Sequence, residues 1–373
     1  MKAKIIFGSP VLVLVLAMGL VVQSNAGDQA YDRADQEPGE GIGIREIKVA
    51  SPARGRDLDV TVWYPASASG QVVLAGADRI FEGTEAYADA PVRPGAYPLI
   101  VFSHGSGASI HKMSWLATRL AEKGFIVAGP NHPGTTSGDS TPEDTPKLWQ
   151  RTDDLSNVIS ALLSEAPWRS AIAADKIGVL GFSLGGAAAL ELAGARADLD
   201  AYIRYCDTYP DMADCVWFAG GRGYRNREAI DVDKFDLRSV DKERFEQSNL
   251  DPRIRAAVLV DPSLALAFDE ASVANIRSAL HFINLGDPDT VPISVKADGL
   301  AGRAPDVTHS WIMDAVHFSF MPTCADGAAA FMRSIGEPDA LCTDGGLRSR
   351  ADIHAELERD IAEAFERMLG PRD

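Results

Sequence analysis

The chain has 373 residues, of which 46% are hydrophobic and 24% are charged. This apolar fraction is enough to bury a large core and excludes a disordered or fibrous protein. The 36 Lys and Arg residues against 53 Asp and Glu residues give a formal net charge of −17. So acidic a chain excludes nucleic acid as a partner, because the phosphate backbone requires a basic surface.

The first 26 residues have the pattern of a secretory signal peptide. Two early lysines precede an apolar run over residues 5–22, and Ser24–Ala26 supplies the small residues of a cleavage site before Gly27. A retained membrane anchor is the alternative, because the apolar run approaches the length that spans a bilayer. We expect a periplasmic or secreted protein, with residues 27–42 as a flexible mature N-terminus.

Strands alternate with helices along the rest of the chain. Residues 44–49 and 58–64 alternate apolar and polar side chains, as a half-exposed antiparallel pair does, whereas residues 65–96 show no clear period. Short apolar runs predict buried strands over 98–103, 125–129, 176–180, 256–260, 280–285 and 311–316. Helical spacing predicts helices over 111–123, 148–163, 187–193 and 353–368. This alternation predicts an α/β fold with a mostly parallel sheet and helices on both faces.

Residues 196–250 interrupt this alternation. They are dense in charge, contain two of the cysteines and show no buried-strand run. We interpret them as an insertion within one domain over residues 43–373, at the sheet edge where open α/β sheets bind ligands. This insertion has two possible roles: a lid over the site, or a solvent-exposed segment with no role in the site.

Four cysteines follow the signal segment and predict disulfides, because exported proteins mature in an oxidising compartment. Three pairings are possible. The local one, Cys206 with Cys215 and Cys324 with Cys342, closes two surface loops. Free buried thiols are the alternative, and no cysteine lies in the spacing of a zinc site.

The segment Gly181-Phe182-Ser183-Leu184-Gly185 matches the G-x-S-x-G pattern of a nucleophile elbow. It directly follows a predicted buried strand and opens an Ala-rich helix, which is the context that such a turn needs. The glycines leave room for a tight turn, and the amides of the helix N-terminus face the hydroxyl. Ser183 is therefore the candidate nucleophile; an ordinary N-cap serine in a Gly-rich turn is the alternative.

A second Gly-rich loop, Ser103–Gly107, directly follows the strand predicted over 98–103. Such a loop can direct a backbone N–H at a developing oxyanion. We predict that the amides of Ser106 and Leu184 form the pair of donors. His104 is interpreted as a residue that orients this loop.

The candidate base is His317, because the hydrolase chain order of serine, acid and histidine requires a histidine late in the chain. Among the histidines it directly follows the strand predicted over 311–316. His309 and His281 would lie at the opposite end of the sheet. His132, which ends an earlier strand, is expected to line the pocket.

Two locations are open for the acid. Asp261 ends the strand predicted over 256–260, while Asp287 and Asp289 follow the next strand. Hydrolases of this fold use either location. The alternative role for Asp287 and Asp289 is a turn, since aspartates beside proline bond backbone amides there.

Taken together, these motifs resemble the platelet-activating factor acetylhydrolase group and the bacterial proteins called predicted dienelactone hydrolases. The resemblance spans residues 45–335 and is carried by residues 97–105, 123–128, 181–186 and 316–317. It implies an α/β-hydrolase fold and a serine esterase without metal or cofactor, with Asp261 as the acid. True dienelactone hydrolases use a cysteine where Ser183 stands, so this chain departs from them.

The expected function is an exported serine esterase that acts on small-molecule carboxylic esters. Short-chain esters, lactones and phospholipid-type acetyl esters all fit such a site. A peptidase or thioesterase is the alternative within enzymes. A non-catalytic binding protein on the same fold is the alternative outside them, because fold does not fix function.

Overall fold

A computed structural model describes residues 39–334 and 339–370, so the predicted signal peptide lies outside the described residues. The strands are β1 Glu40–Ser51, β2 Arg56–Ser67, β3 Val72–Ala75, β4 Thr84–Ala88, β5 Tyr97–Ser103, β6 Ile126–Pro130, β7 Thr135–Thr136, β8 Asp139–Ser140, β9 Ile172–Phe182, β10 Gly221–Arg225, β11 Glu228–Val232, β12 Ile254–Val260, β13 Ala279–Leu285 and β14 Val307–Ile312. The helices are α1 Ser114–Glu122, α2 Leu148–Ser164, α3 Trp168–Ala171, α4 Leu184–Leu192, α5 Leu199–Thr208, α6 Ala213–Trp217, α7 Lys242–Phe245, α8 Glu270–Ala274, α9 Asp298–Ala301, α10 Ala328–Ser334 and α11 Arg350–Leu369. Of these helices, none is both long and apolar enough to cross a bilayer.

A ten-stranded sheet forms the centre of the fold, in the order β14-β13-β12-β9-β5-β6-β2-β1-β4-β3. The strands from β14 to β6 run parallel to one another, which confirms the predicted mostly parallel sheet. The strand order reverses between β5 and β9, because β5 is followed by β6 on one side and β9 is followed by β12 on the other. In α/β sheets, ligands bind at the carboxyl ends of strands beside such a reversal. The loops after β5 and β9 are therefore neighbours at that edge.

Helices cover both faces of the sheet, and each face has its own apolar core. On one face α2 and α4 pack through side chains such as Leu155 and Leu190. On the other face α1 and α11 pack through side chains such as Leu116 and Phe365. A Cβ on Gly178 in β9 would lie 2.7 Å from the Phe365 ring. Only glycine at this position lets α11 approach the sheet so closely.

The antiparallel part of the sheet begins earlier than the sequence pattern indicates. β1 pairs with β2 over its whole length, which confirms the predicted antiparallel pair. Residues 40–42, predicted to belong to the flexible N-terminus, belong instead to β1. The segment without a clear period holds two further strands, β3 and β4. β3 is largely exposed, with Val72 and Leu74 facing solvent. Its four residues therefore show no alternation of apolar and polar side chains from which a strand could be predicted.

The predicted position of the last strand is wrong. β14 covers Val307–Ile312, not residues 311–316. Among the strands that the structure describes, it pairs with β13 alone, as an edge strand does, and it is half-buried, so polar Thr308 and Ser310 alternate with its other side chains. A continuous apolar run is the signal of a central strand and does not locate an edge strand. Residues 313–316 form the turn that leads to His317.

The insertion over residues 196–250 folds as helices and a hairpin. α5 and α6 come first, β10 and β11 form the hairpin, and α7 follows. β10 also pairs with β8, which gives a small second sheet in the order β11-β10-β8-β7. Trp217 donates its indole N–H to Thr145 Oγ1 at 2.8 Å. The insertion is thus attached to the segment that follows β6.

Both predicted disulfides are confirmed. Cys206 pairs with Cys215, with Cα atoms 5.3 Å apart, and joins α5 to α6. Cys324 pairs with Cys342, with Cα atoms 5.7 Å apart, in the segment between His317 and α11. Each bond closes a short loop, and such closure restricts the unfolded chain.

One carboxyl group in α4 is buried with incomplete hydrogen bonding. Asn249 Nδ2 donates to Glu191 Oε2 at 2.7 Å, whereas Glu191 Oε1 has no partner within the described residues. Burial raises the pKa of Glu191 from 4.5 to about 8. The native state therefore keeps a proton that the unfolded chain releases at the ordinary pKa of a glutamate.

This proton makes the stability of the protein depend on pH. Between the unfolded pKa of 4.5 and the native pKa of about 8, the native state binds the extra proton. Stability is therefore lost as pH rises through this window, by up to about 1.4 kcal/mol per pH unit. Glu191→Gln removes the titrating carboxyl group. The free energy of unfolding of the variant should therefore rise relative to that of wild type as pH increases from 5 to 8. Urea denaturation measures the difference; the exposed Glu363→Gln is the control, and a pH-independent difference for Glu191→Gln would contradict the account.

Candidate active site

Ser183 occupies a strained turn between β9 and α4. Its φ of 56° and ψ of −121° lie in a region that side-chain-bearing residues rarely adopt, at a cost of about 1–3 kcal/mol. Close packing fixes this conformation. A Cβ on Gly185 would lie 1.9 Å from the Ser103 carbonyl oxygen, and a Cβ on Gly181 would lie 2.1 Å from the Gly185 carbonyl oxygen. Only glycine fits at both positions, which explains the spacing of the motif.

The structure brings three of the predicted residues into one hydrogen-bonded chain. His317 Nε2 lies 3.1 Å from Ser183 Oγ, and His317 Nδ1 lies 2.9 Å from Asp261 Oδ2. When the Nδ1–H donates to the carboxylate, Nε2 is free to accept the serine proton. This arrangement can activate a hydroxyl as a nucleophile, with the carboxylate orienting the base.

The Asp261 carboxylate is fully buried and held by several donors. Oδ1 accepts from Asn284 Nδ2 at 2.8 Å and from the Leu285 N–H at 2.9 Å, which leaves Oδ2 for His317. Asn284 Oδ1 accepts in turn from the Ala297 N–H at 2.9 Å. No sequence motif marks Asn284, but a polar residue inside the apolar run of β13 is a signal that could have found it.

The second location for the acid lies in a turn. The carbonyl oxygen of Asp287 accepts from the N–H groups of Thr290 and Val291 at 2.9 and 3.1 Å. Asp289 is exposed. Within the described residues, His317 bonds to Asp261 and to neither of these carboxylates. The geometry therefore favours Asp261 over the turn aspartates.

Aromatic packing holds the imidazole ring of His317. His317 begins a short 3-10 turn after β14. The ring of Phe182, the residue before Ser183, stacks on it with ring centres 4.8 Å apart and planes at 29°. Phe182 also stacks on Phe320 at 4.4 Å. Such ring pairs contribute about 0.5–1.5 kcal/mol beyond their buried area, so Phe182, the second residue of the motif, positions the base.

The loop after β5 lies directly against the turn at Ser183. A Cβ on Gly105 would lie 3.3 Å from Ser183 Cβ, so this position has little space for a side chain. Within the described residues, no hydrogen bond engages the backbone N–H of Ser106 or of Leu184. Both amides are therefore candidates for binding a developing negative charge.

Two other histidines lie in places that differ from the sequence interpretation. His309 does not precede the last strand; it lies within β14, and its Nε2–H donates to Asn284 Oδ1 at 3.0 Å. His132 does not line a pocket, because it is fully buried. His104 is fully buried behind the loop, and its Nδ1 lies 2.7 Å from the Gly105 carbonyl oxygen. This contact fits the interpretation of His104 as a loop-orienting residue.

Known proteins resemble parts of this chain in sequence. Residues 96–206, less than a third of the chain, match the family model described as serine aminopeptidase, S33. Bis(hydroxyethyl) terephthalate hydrolase from Streptomyces coelicolor is 30% identical over 33% of this chain and 37% of its own length. Cutinase 2 from Thermobifida cellulosilytica is 31% identical over 34% of this chain and 45% of its own length. The chain therefore spans less than half the length of these curated relatives.

A solved structure resembles nearly the whole fold. Ferulic acid esterase from Streptomyces cinnamoneus superposes with a TM-score of 0.57 at 20% sequence identity, over 91% of this chain and 92% of that chain. Together with the parallel sheet and its two helical layers, this likeness shows that the protein has the α/β-hydrolase fold. The predicted fold class is confirmed.

Replacing each candidate acid with asparagine tests the choice between them. Asp261→Asn keeps the geometry but favours the wrong tautomer of His317, which lowers kcat by about 10⁴ in the serine-protease precedent. Asp289→Asn is the matched control, because asparagine serves equally well in a turn. We expect ester turnover to be nearly abolished in the first variant and close to wild type in the second. An inactive Asp289→Asn beside an active Asp261→Asn would reverse the assignment.

Proposed function

We propose that this protein is a carboxylic ester hydrolase that acts through an acyl-enzyme on Ser183. The observation that carries the proposal is the hydrogen-bonded chain from Asp261 through His317 to Ser183 at the strained turn after β9. A chain of this kind activates a serine hydroxyl in unrelated hydrolases. In our proposal Ser183 is the nucleophile, His317 is the base and Asp261 is the orienting acid.

The first half-reaction transfers the acyl group to the enzyme. His317 Nε2 takes the proton from Ser183 Oγ while that oxygen attacks the ester carbonyl carbon. The carbonyl oxygen becomes an oxyanion, which the N–H groups of Ser106 and Leu184 stabilise. The tetrahedral intermediate collapses when the bond to the alcohol oxygen breaks. His317 then gives its proton to that oxygen, and the alcohol leaves.

Water completes the cycle. His317 takes a proton from a water molecule, whose oxygen attacks the acyl carbon of the acyl-enzyme. The same two amides bind the second oxyanion. When the bond to Ser183 Oγ breaks, His317 returns a proton to that oxygen and the carboxylic acid leaves. Asp261 stabilises the imidazolium in both halves.

The names of the curated relatives support an ester substrate. One relative is a bis(hydroxyethyl) terephthalate hydrolase and the other is a cutinase. We therefore include terephthalate-type esters among the substrates to test. Short-chain esters, lactones and phospholipid-type acetyl esters, which the sequence predicts as substrates that fit such a site, are tested beside them.

Exposed apolar side chains at His317 and on the turn before it favour an ester with an apolar group. Phe318 is 39% exposed, and its ring centre lies 5.5 Å from that of His317. Met313, on the turn that leads from β14 to His317, is 46% exposed. Apolar surface such as the Phe318 ring next to the proposed base is suited to holding an acyl or alcohol chain.

We propose that the insertion over residues 196–250 contributes to substrate choice. Its strand β10 pairs with β8. The neighbouring strand β7 receives a hydrogen bond from the loop after β5, because the Gly107 N–H donates to the Thr135 carbonyl oxygen at 2.9 Å. A single hairpin thus links the insertion to the loop that carries Ser106. If the insertion is a lid, substitutions in the β7–β8 hairpin should alter the preferred acyl length. If it is a solvent-exposed segment without a role in the site, they should have no such effect.

A peptidase is the second candidate, because the matching family model is described as a serine aminopeptidase. That match includes Ser183 and the loop after β5 but ends before Asp261 and His317. The two activities share the same acyl-transfer chemistry. They differ in the leaving group, which is an alcohol for an esterase and an amine for a peptidase.

A panel of substrates and two serine variants tests the proposal. We expect turnover of p-nitrophenyl esters of varied acyl length and little cleavage of aminoacyl p-nitroanilides. Ser183→Ala should lower ester turnover by about 10⁴ or more. Ser263→Ala removes a hydroxyl only 3.4 Å from Ser183 Oγ and should keep most of the activity.

The outcomes separate the candidates. Cleavage of anilides in preference to esters would assign a peptidase. A protein inert towards both substrate classes would favour the binding-protein alternative. An active Ser183→Ala variant would contradict the role of Ser183 in either enzyme.

We also propose that the protein is exported, from the pattern of residues 1–26 together with the two disulfides. The intact mass of protein recovered from the periplasm or medium should correspond to a chain that begins at Gly27. It should also lack the hydrogens of the Cys206–Cys215 and Cys324–Cys342 pairs. A chain that begins at Met1 in the membrane fraction would support the anchor instead.

A further inference from the structure

A second chain of serine, histidine and aspartate lies behind the loop that carries Ser106. Ser103 Oγ lies 3.0 Å from His132 Nε2, and His132 Nδ1 lies 2.9 Å from Asp154 Oδ2. All three side chains are fully buried, so no substrate can reach them. These side chains therefore contact only other parts of the protein, and Ser103 is the residue from which the loop departs.

A buried arginine joins this chain to the loop. Arg151 Nη1 donates to the His104 carbonyl oxygen at 2.8 Å and to Ser103 Oγ at 3.1 Å. Its Nε donates to Thr135 Oγ1 at 3.0 Å. Burial lowers the pKa of Arg151 to about 9, so the guanidinium is charged at neutral pH. Asp154, one turn further along α2, supplies the opposite charge.

The buried carboxylate of Asp154 is itself held in place. Arg54 donates to its two oxygens at 3.0 and 2.7 Å. Arg54 also donates to the Pro133 carbonyl oxygen at 3.0 Å, in the segment between His132 and β7. A buried polar network with its groups paired in this way is rigid, because any movement leaves a polar atom without a partner.

The histidines of this network fix the direction of one backbone amide. Burial lowers the pKa of His104 and of His132 well below the usual value, so each ring is neutral and carries one N–H. His104 Nε2 accepts from the His132 N–H at 3.3 Å, which leaves Nδ1–H to donate to the Gly105 carbonyl oxygen at 2.7 Å. In a trans peptide the C=O and the following N–H point in opposite directions. Holding the Gly105 oxygen at the His104 ring therefore turns the Ser106 N–H away from the network.

We propose that Arg151, together with the Ser103–His132–Asp154 chain, is a positioning residue that keeps the Ser106 N–H directed at the substrate oxyanion. Arg151 does so by holding the His104 carbonyl oxygen, which fixes the peptide before Gly105. The inference rests on the proposed ester hydrolysis, because the Ser106 N–H has this role only in acyl transfer.

The size of the expected effect follows from the geometry. Loss of one oxyanion donor lowers kcat by about 10²–10³, and a displacement of about 1 Å in a reacting group costs on the order of 10². Ground-state binding of the ester involves no oxyanion, so KM should change little. A network that only stabilised the fold would alter neither value in the protein that remains folded.

The experiment compares Arg151→Met with Arg151→Lys and with Arg253→Met as a matched control. Arg253 also donates to α2, at Ser156 and Ser160, and among the described residues none of its hydrogen bonds goes to the loop. For each variant, kcat and KM are measured per titrated active site with a p-nitrophenyl ester. The inhibition constant of a trifluoromethyl ketone is measured as well, because its adduct with a serine carries an oxyanion.

Arg151→Met should lower kcat by about 10² with little change in KM. Its inhibition constant should rise by the factor by which kcat/KM falls. Arg151→Lys should recover part of the loss, because an ammonium can still donate to the His104 carbonyl oxygen. Arg253→Met should match wild type.

Several outcomes would overturn the inference. Unchanged kcat in Arg151→Met, or an equal loss in Arg253→Met, contradicts it while leaving the proposed function intact. If Arg151→Met does not fold, Ser103→Ala takes its place. It removes the two hydrogen bonds that join Ser103 Oγ to His132 and Arg151, and kcat should fall by about fivefold or more. An unchanged kcat in that variant would also contradict the inference. A wild-type protein without ester turnover overturns the proposed function and this inference together.

Discussion

The close approach between α4 and the end of β5 is the contact on which the rest of the site depends. The Gly185 Cα lies so near the Ser103 carbonyl oxygen that a Cβ would come within 1.9 Å of it. This contact holds the first turn of α4 beside the loop that begins at Ser103. It therefore sets the separation of the two proposed oxyanion donors, one from each segment. The positive φ of Ser183 is the local cost of bringing strand and helix so close.

Sheet register supplies the acid next to this turn. Phe182 at the end of β9 is paired with Val260 at the end of β12, so Ser183 and Asp261 follow at neighbouring positions. The Ser183 N–H donates to the Val260 carbonyl oxygen at 3.0 Å, and Asp261 also has a positive φ, of 43°. His317 instead comes from a loop and is held by the ring of Phe182. Two members of the chain thus depend on backbone pairing, and the third depends on side-chain packing.

The sequence predicts the parts of the site that backbone geometry dictates. The glycines around Ser183 and the buried central strands have unambiguous patterns, because only glycine fits such a turn and only central strands are apolar throughout. Edge strand β14 lacks that pattern, so the apolar run that follows it predicts a wrong position for it. Arg151 lies four residues before Leu155, on the buried face of α2, where a charge signals a buried partner. Its partners in the β5 loop are distant in sequence, so no local pattern predicts which groups it binds.

A crystal structure of the protein after reaction with a phosphonate ester tests the central claim most directly. We expect phosphorus to be bonded to Ser183 Oγ, with one phosphonyl oxygen about 3 Å from the backbone nitrogens of both Ser106 and Leu184. In that adduct His317 should stay bonded to Asp261. A phosphonyl oxygen directed into solvent, or an adduct on another residue, would contradict the claim that these two segments build one oxyanion site.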